Sequence, residues 1–101
     1  MTGRLKLIGS PLKVITHVAV CGGAGGEYVL NAIEEKMDLY ITADVKHHEA
    51  QWAKSRGLAL IDGGHWGTEW HFSPVMSAYL KRQFGRDVEV MASNVSADPY
   101  R

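Results

Sequence analysis

The chain has 101 residues, with eleven basic residues set against eleven acidic ones and a hydrophobic share of 46%. That length suits one domain of moderate core and is short for two, and the absence of net charge removes the footprint of a nucleic-acid or acidic-membrane binder from the totals, so both partners are disfavoured. No apolar run approaches the ~20 residues of a membrane helix, and the lone Cys21 has no internal disulfide partner.

In chain order, the opening Met1-Thr2-Gly3-Arg4-Leu5-Lys6 lacks the apolar core of a signal peptide, which together with the single cysteine suggests a reducing cytoplasm. Leu5, Leu7 and Ile8 predict a short strand stopped by Gly9-Ser10-Pro11. The run from Val14 to Cys21 is β-branched and almost continuously apolar, the pattern of a strand covered on both faces. The glycine run Gly22-Gly23-Ala24-Gly25-Gly26 follows. Tyr28, Val29, Ala32, Ile33 and Met37 then recur at helical spacing, with Glu27, Glu34, Glu35 and Lys36 on the remaining face.

Leu39 to Thr42 predicts a third strand. From Asp44 to Arg56 the pattern is helical again, with Val45, His48, Trp52 and Ala53 on one side and Gly57 as the C-terminal stop. Leu58 to Ile61 is a fourth strand. Ser73-Pro74 reads as an N-cap and first-turn pair for a helix whose face is Val75, Met76, Tyr79, Leu80 and Phe84 and which Gly85 ends. Val88 to Met91 predicts a last strand, and the polar tail from Ser93 to Arg101 is expected to be loosely held.

Strands alternating with helices at this spacing argue for a single α/β domain over 1–101, a mostly parallel sheet flanked by helices. Ligands of such sheets collect at the carboxyl ends of the strands. Those ends carry the Gly22 to Gly26 turn, Thr42-Ala43-Asp44 and the segment from Asp62 to Glu69.

The last of these holds His65 and Glu69, four residues apart. An imidazole and a carboxylate at i and i+4 share one face if the segment is helical, and both are good ligands for a divalent transition metal. A capped, hydrogen-bonded turn explains the same residues without a metal. Two ligands fall short of the three that a catalytic zinc site usually takes from protein, so His48, Asp44, Asp62 or another subunit would have to complete the shell.

Each of these helpers has an ordinary alternative. His48 fits a half-buried core histidine as well as a ligand; His47 points elsewhere and reads as solvated. Asp44 suits a helix N-cap better than a carboxylate orienting a histidine, and Asp62 is divided between that supporting role and a turn. His17 and His71 carry no motif. The amides of Gly22, Gly23, Gly25 and Gly26 could cradle a phosphate, but no Lys-Ser or Lys-Thr follows, and a tight strand-to-helix turn is the simpler reading. Cys21 reads as a small apolar residue closing a strand, while Trp66 and Trp70 flank the candidate ligands and could wall a cleft.

Three segments carry a resemblance. Val18 to Gly26, Leu39 to Ala50 with its Asp44-Val45-Lys46-His47-His48 run, and Gly57 to Glu69 with Gly63-Gly64-His65-Trp66-Gly67-Thr68-Glu69 are together similar, in order, to the C-terminal half of the Nif-three-like dinuclear metal-centre proteins. Those proteins are often labelled GTP cyclohydrolase I type-two homologues. The likeness covers Leu5 to Tyr100, with Ala43 standing where the family usually has glycine.

The resemblance implies a cytoplasmic α/β protein of two similar halves with two metal ions between them, commonly in ring-shaped oligomers. His65 and Glu69 match the ligands of the C-terminal half; the other ligands, a His-His pair and an acidic residue among them, belong to an N-terminal half absent here, and His47-His48 is not that pair. Two functions follow. One is a metal-dependent hydrolase, or the metal-binding half of one, using zinc, iron or manganese on a nucleotide or other phosphate-bearing substrate. The other is a non-catalytic metal-binding or oligomerisation module. Either leaves former interface exposed, so a homo-oligomer or a separately encoded N-terminal half is the expected partner.

Overall fold

The computed structural model describes residues 5–100, which fall into two compact units, one ending at Thr68 and the other starting at Glu69. The first contains strands β1 (Lys6–Ile8), β2 (Val18–Ala24), β3 (Leu39–Ala43) and β4 (Ala59–Asp62), a 3-10 turn (Gly26–Tyr28), and helices α1 (Val29–Glu34) and α2 (His47–Arg56). The sheet runs β1-β4-β3-β2. β2, β3 and β4 are parallel, while β1 is antiparallel to β4. Each parallel neighbour is reached through a helix, as parallel pairing requires, and the expected α/β architecture is what the chain adopts.

Register decides which side chains meet. Ile8, Leu60, Tyr40 and Ala19 are successive cross-strand partners and form one row across the sheet. Val29 and Ala32 of α1 and Ala53 of α2 pack on that row with Leu58, making the core of the first unit. Leu60 at its centre is 0% exposed. On the opposite face the row is Leu7, Ile61, Ile41 and Val20. Its outer members stay exposed, Val20 at 67%.

β2 therefore departs from expectation. It begins at Val18 instead of Val14 and runs on through the first glycines to Ala24. It is also an edge strand, so the unbroken apolar run did not mean cover on both faces. The segment before it is held by Asp38, whose Oδ2 accepts the backbone N–H of Thr16 (3.0 Å) and of His17 (2.9 Å) and the Thr16 hydroxyl (2.9 Å). The N–H of Thr16, then that of His17, then the hydroxyl lower the Asp38 pKa from 3.8 to about 2, against a small opposing effect of burial. Lys13 donates to the carbonyls of Asp38 (2.8 Å) and Gly57 (2.6 Å), pinning the same segment to the far end of α2.

α2 begins at His47, not Asp44. Asp44 has φ 54°, in the left-handed region, so it turns the chain ahead of the helix and does not cap it. Glu49, three residues beyond Lys46, reaches back to accept its N–H (2.8 Å), the acidic half of a capping box. Its carboxylate is then inside at 5% exposure, and α2 is turned so that Glu49 and Ala53 are buried while His48 and Trp52 are exposed. Gly57 ends the helix at φ 76°, the left-handed C-terminal stop that was expected.

In the second unit α4 spans Phe72–Phe84. Ser73 lies inside its first turn, and His71 occupies the N-cap position assigned to Ser73. Pro74 keeps a first-turn place, where its missing N–H costs nothing. The strand expected over Val88 to Met91 does not form. Four residues of period-two pattern need a neighbouring strand for their backbone bonds, and the second unit holds none among the described residues.

Candidate metal centre

The carboxyl ends of β2, β3 and β4 share one edge of the sheet, and three side chains lace the loops there together. Thr42, at the end of β3, accepts the Gly25 N–H (3.0 Å) and donates to the Gly23 carbonyl (3.0 Å). Its own carbonyl takes the Gly63 N–H (2.9 Å). Asp62, closing β4, uses both oxygens, one on the Val45 N–H (3.0 Å) and one on the Gly64 N–H (3.0 Å). Thr68 accepts the Gly23 N–H (2.9 Å) and donates to the Gly64 carbonyl (2.8 Å).

This lacing settles what the glycine run is built for structurally. Two of its amides, those of Gly23 and Gly25, are already committed to threonine hydroxyls. Gly25 has no room for a side chain, because a Cβ would strike the Thr42 and Tyr40 hydroxyls and the Cys21 sulfur. At Gly26 a Cβ would run into the Glu49 carboxylate. A tight strand-to-helix turn needs this close approach; a phosphate cradle would have to draw on the remaining amides of Gly22 to Gly26.

Tyr40 sits beneath the turn, donating to the Gly25 carbonyl at 2.6 Å. Burial is the largest influence on its phenol and pushes the pKa above the ordinary 10.0; Thr42 lowers it in part, and Cys21 and Tyr28 add to the rise. Cys21 is a free thiol, half-buried on the same side.

The two proposed ligands follow directly. β4 ends at Asp62, Gly64 takes φ 75°, and α3 (His65–Glu69) begins. His65 and Glu69 are its first and last residues, so the helical turn on which their pairing depended is present. Both side chains are exposed, and each has an interaction of its own. Trp66 between them is half-buried, whereas Trp70 is exposed and stands edge-on to the His71 ring at 5.3 Å.

The three helper residues behave differently. Asp62 is fully engaged as the brace between two loops. Asp44 is exposed in its left-handed turn. His48 is exposed and makes an edge-to-face contact with Trp52 at 4.9 Å, so it is not the half-buried core histidine that helical spacing suggested. Among the described residues, no three His, Cys, Asp or Glu side chains are grouped to hold a metal ion. As a donor set, His65 and Glu69 fit part of a divalent-metal shell and require donors from elsewhere.

Sequence reasoning missed Thr42, Thr68 and Glu49. Glu49 had a readable signal, an acidic residue three places after a helix start. The threonines had none, because their partners lie 17 and 45 residues away.

Comparison with known proteins agrees with this fold. A 31% identical relative from Mycobacterium tuberculosis, named GTP cyclohydrolase 1 type 2 homolog, aligns over 97 residues, 95% of this chain and 26% of its own. One of the same name from Streptomyces coelicolor is 32% identical over 100 residues, 95% of this chain and 35% of its own. The chain thus spans about a quarter to a third of the length of these curated relatives. The crystal structure of Staphylococcus aureus protein SA1388 superposes with a TM-score of 0.87 at 30% identity, covering 97% of this chain and 33% of that one. A Bacillus cereus protein related to NIF3 gives 0.75 at 25% identity, over 97% of this chain and 28% of that one. The family model Duf34/NIF3 (NGG1p interacting factor 3) matches residues 1–99, and the chain belongs to that family.

Proposed function

We propose that this chain supplies His65 and Glu69 to a divalent-metal centre of a hydrolase, with the remaining ligands contributed by polypeptide outside it. The observation that carries this reading is α3 itself: a five-residue helix that bears an imidazole at its start and a carboxylate at its end, following the strand end that Asp62 and Thr68 brace. Zinc, iron or manganese suits such donors, and availability selects among them. A bound ion supplies Lewis acidity, which acidifies water and polarises a bond under attack. The chain's own part is to hold the two donors on a short helix at the edge of a laced set of loops.

The relatives' name, GTP cyclohydrolase 1 type 2 homolog, makes a nucleotide the first substrate class to try. A second reading is a binding or assembly module without turnover. One experiment separates them from a chain with no metal role. Untagged protein is dialysed against zinc, manganese or iron, and its metal content is compared with that of His65→Ala and Glu69→Ala. Retention that falls in both variants supports the ligand roles; equal retention in all three proteins sinks them. A nucleotide-hydrolysis assay on loaded chain, with and without the N-terminal portion of a family member, then decides between turnover and assembly.

A further inference from the structure

β3 ends at Ala43, which is 0% exposed, and Val45 packs against the core of the first unit. Between these two fixed points Asp44 turns the chain at φ 54°, a conformation that glycine takes freely and that costs a residue bearing a Cβ. Aspartate usually offsets that cost with a hydrogen bond from its own side chain to nearby backbone. Asp44 does not: its carboxylate is exposed, with neither hydrogen bond nor ion pair among the described residues. The other carboxylates near this edge are engaged, Asp62 with two amides and Glu49 with the Lys46 N–H. The turn itself therefore gains nothing from a charged side chain at Asp44, and asparagine or glycine would form it at least as well.

The brace that fixes this turn also places it beside α3. One oxygen of Asp62 holds the Val45 N–H and the other the Gly64 N–H, each at 3.0 Å. Asp44 immediately precedes the first of these amides and His65 immediately follows the second. The Gly63 N–H joins the two loops again by donating to the Thr42 carbonyl (2.9 Å), and Thr42 and Asp62 are register partners on the neighbouring strands β3 and β4. An uncommitted carboxylate and the imidazole of His65 are thus carried on adjoining, cross-braced loops, at the sheet edge where ligands of parallel sheets gather.

We propose that Asp44 is an outer partner of the metal centre, its carboxylate accepting hydrogen bonds from water carried by the ion that His65 and Glu69 hold. The proposal rests on the reading of those two residues as ligands. A direct place on the ion is not assigned to Asp44, because among the described residues no three such side chains are grouped to share one ion; a contact through water spans a longer gap. Carboxylates in this role orient what is bound and add favourable charge without using a coordination position. That function explains why the left-handed turn carries an acid.

The test is binding of Mn2+ to the untagged full chain, followed by calorimetry and by water-proton relaxation, with urea unfolding in chelator as the measure of fold. Wild type is expected to bind and His65→Ala to lose binding. Asp44→Asn and Asp44→Gly should each weaken binding about tenfold or more, with urea midpoints at or above wild type because both residues suit the left-handed turn. Glu34→Gln removes the same charge from an exposed position on α1 and should leave affinity unchanged. Relaxation per bound Mn2+ should be the same in Asp44→Asn as in wild type, since no direct ligand is lost. Wild-type affinity in Asp44→Asn, beside a His65→Ala chain that has lost binding, overturns the proposal and leaves the ligand reading standing; equal affinity in wild type and His65→Ala overturns both. The proposal also falls if Glu34→Gln weakens binding as much, if the midpoint drops along with affinity in both Asp44 variants, or if relaxation rises in Asp44→Asn, which would make Asp44 a direct ligand.

Discussion

Thr42→Val tests whether the loop lacing holds the site edge in place. Valine matches threonine in shape and suits a strand at least as well, so the substitution isolates the hydroxyl. In the folded chain that hydroxyl is 0% exposed and serves two groups, accepting from the Gly25 N–H and donating to the Gly23 carbonyl. Removing it strands one buried donor and one buried acceptor, each costing about 1–3 kcal/mol. Relaxation of the glycine turn toward water offsets part of this, leaving an expected loss of about 2–4 kcal/mol. Thr42→Ser is the control, since it keeps both bonds and loses one methyl, about 1 kcal/mol. Urea unfolding followed by circular dichroism gives both values, and with a slope of about 1 kcal/mol/M for a small unit the valine midpoint should fall by roughly 2 M or more. A valine variant that unfolds at or above the serine midpoint would refute the reasoning.

Two further tests address other parts of the fold. Gly26→Ala should destabilise by about 1–3 kcal/mol through overpacking, because its Cβ meets the Glu49 carboxylate; adding Glu49→Ala should recover part of the loss, and a midpoint unchanged by Gly26→Ala would contradict the close approach. Asp38 governs an acid limb. Its folded pKa, about 2, lies below the ordinary 3.8, so its contribution is fully present above pH 3.8 and disappears as the pH falls toward 2. Asp38→Asn should flatten unfolding stability across that window, and a variant with the wild-type slope there would remove Asp38 as the cause.

How much of this was legible depended on whether the determining partner was near in sequence. The parallel strands, the helices between them and the stop at Gly57 were readable because period, propensity and a left-handed glycine are local signals. That His65 and Glu69 share one short helix was readable for the same reason, since they stand four residues apart. The position of β2 at the sheet edge was not, since an uninterrupted apolar run looks the same at an edge as in the centre. Asp44 was misjudged because Asp serves both caps and left-handed turns, and only the cap supplied by Glu49 decides between them. Val88 to Met91 carried the right pattern for a strand without a neighbouring strand to complete it.

The dual use of Asp62 has a kinetic consequence. Its carboxylate binds the amide ahead of α2 and the amide ahead of α3, while Thr68 and Thr42 tie the glycine turn to the same place. No one of these loops can open without surrendering a bond that another depends on. The amide protons of Gly23, Gly25, Val45 and Gly64 should therefore exchange with deuterium as a cooperative set at one shared rate, slower than surface loops ordinarily allow. Rigidity at this edge comes from cross-wiring between loops, and the residue that opens first will set the opening rate for all of them.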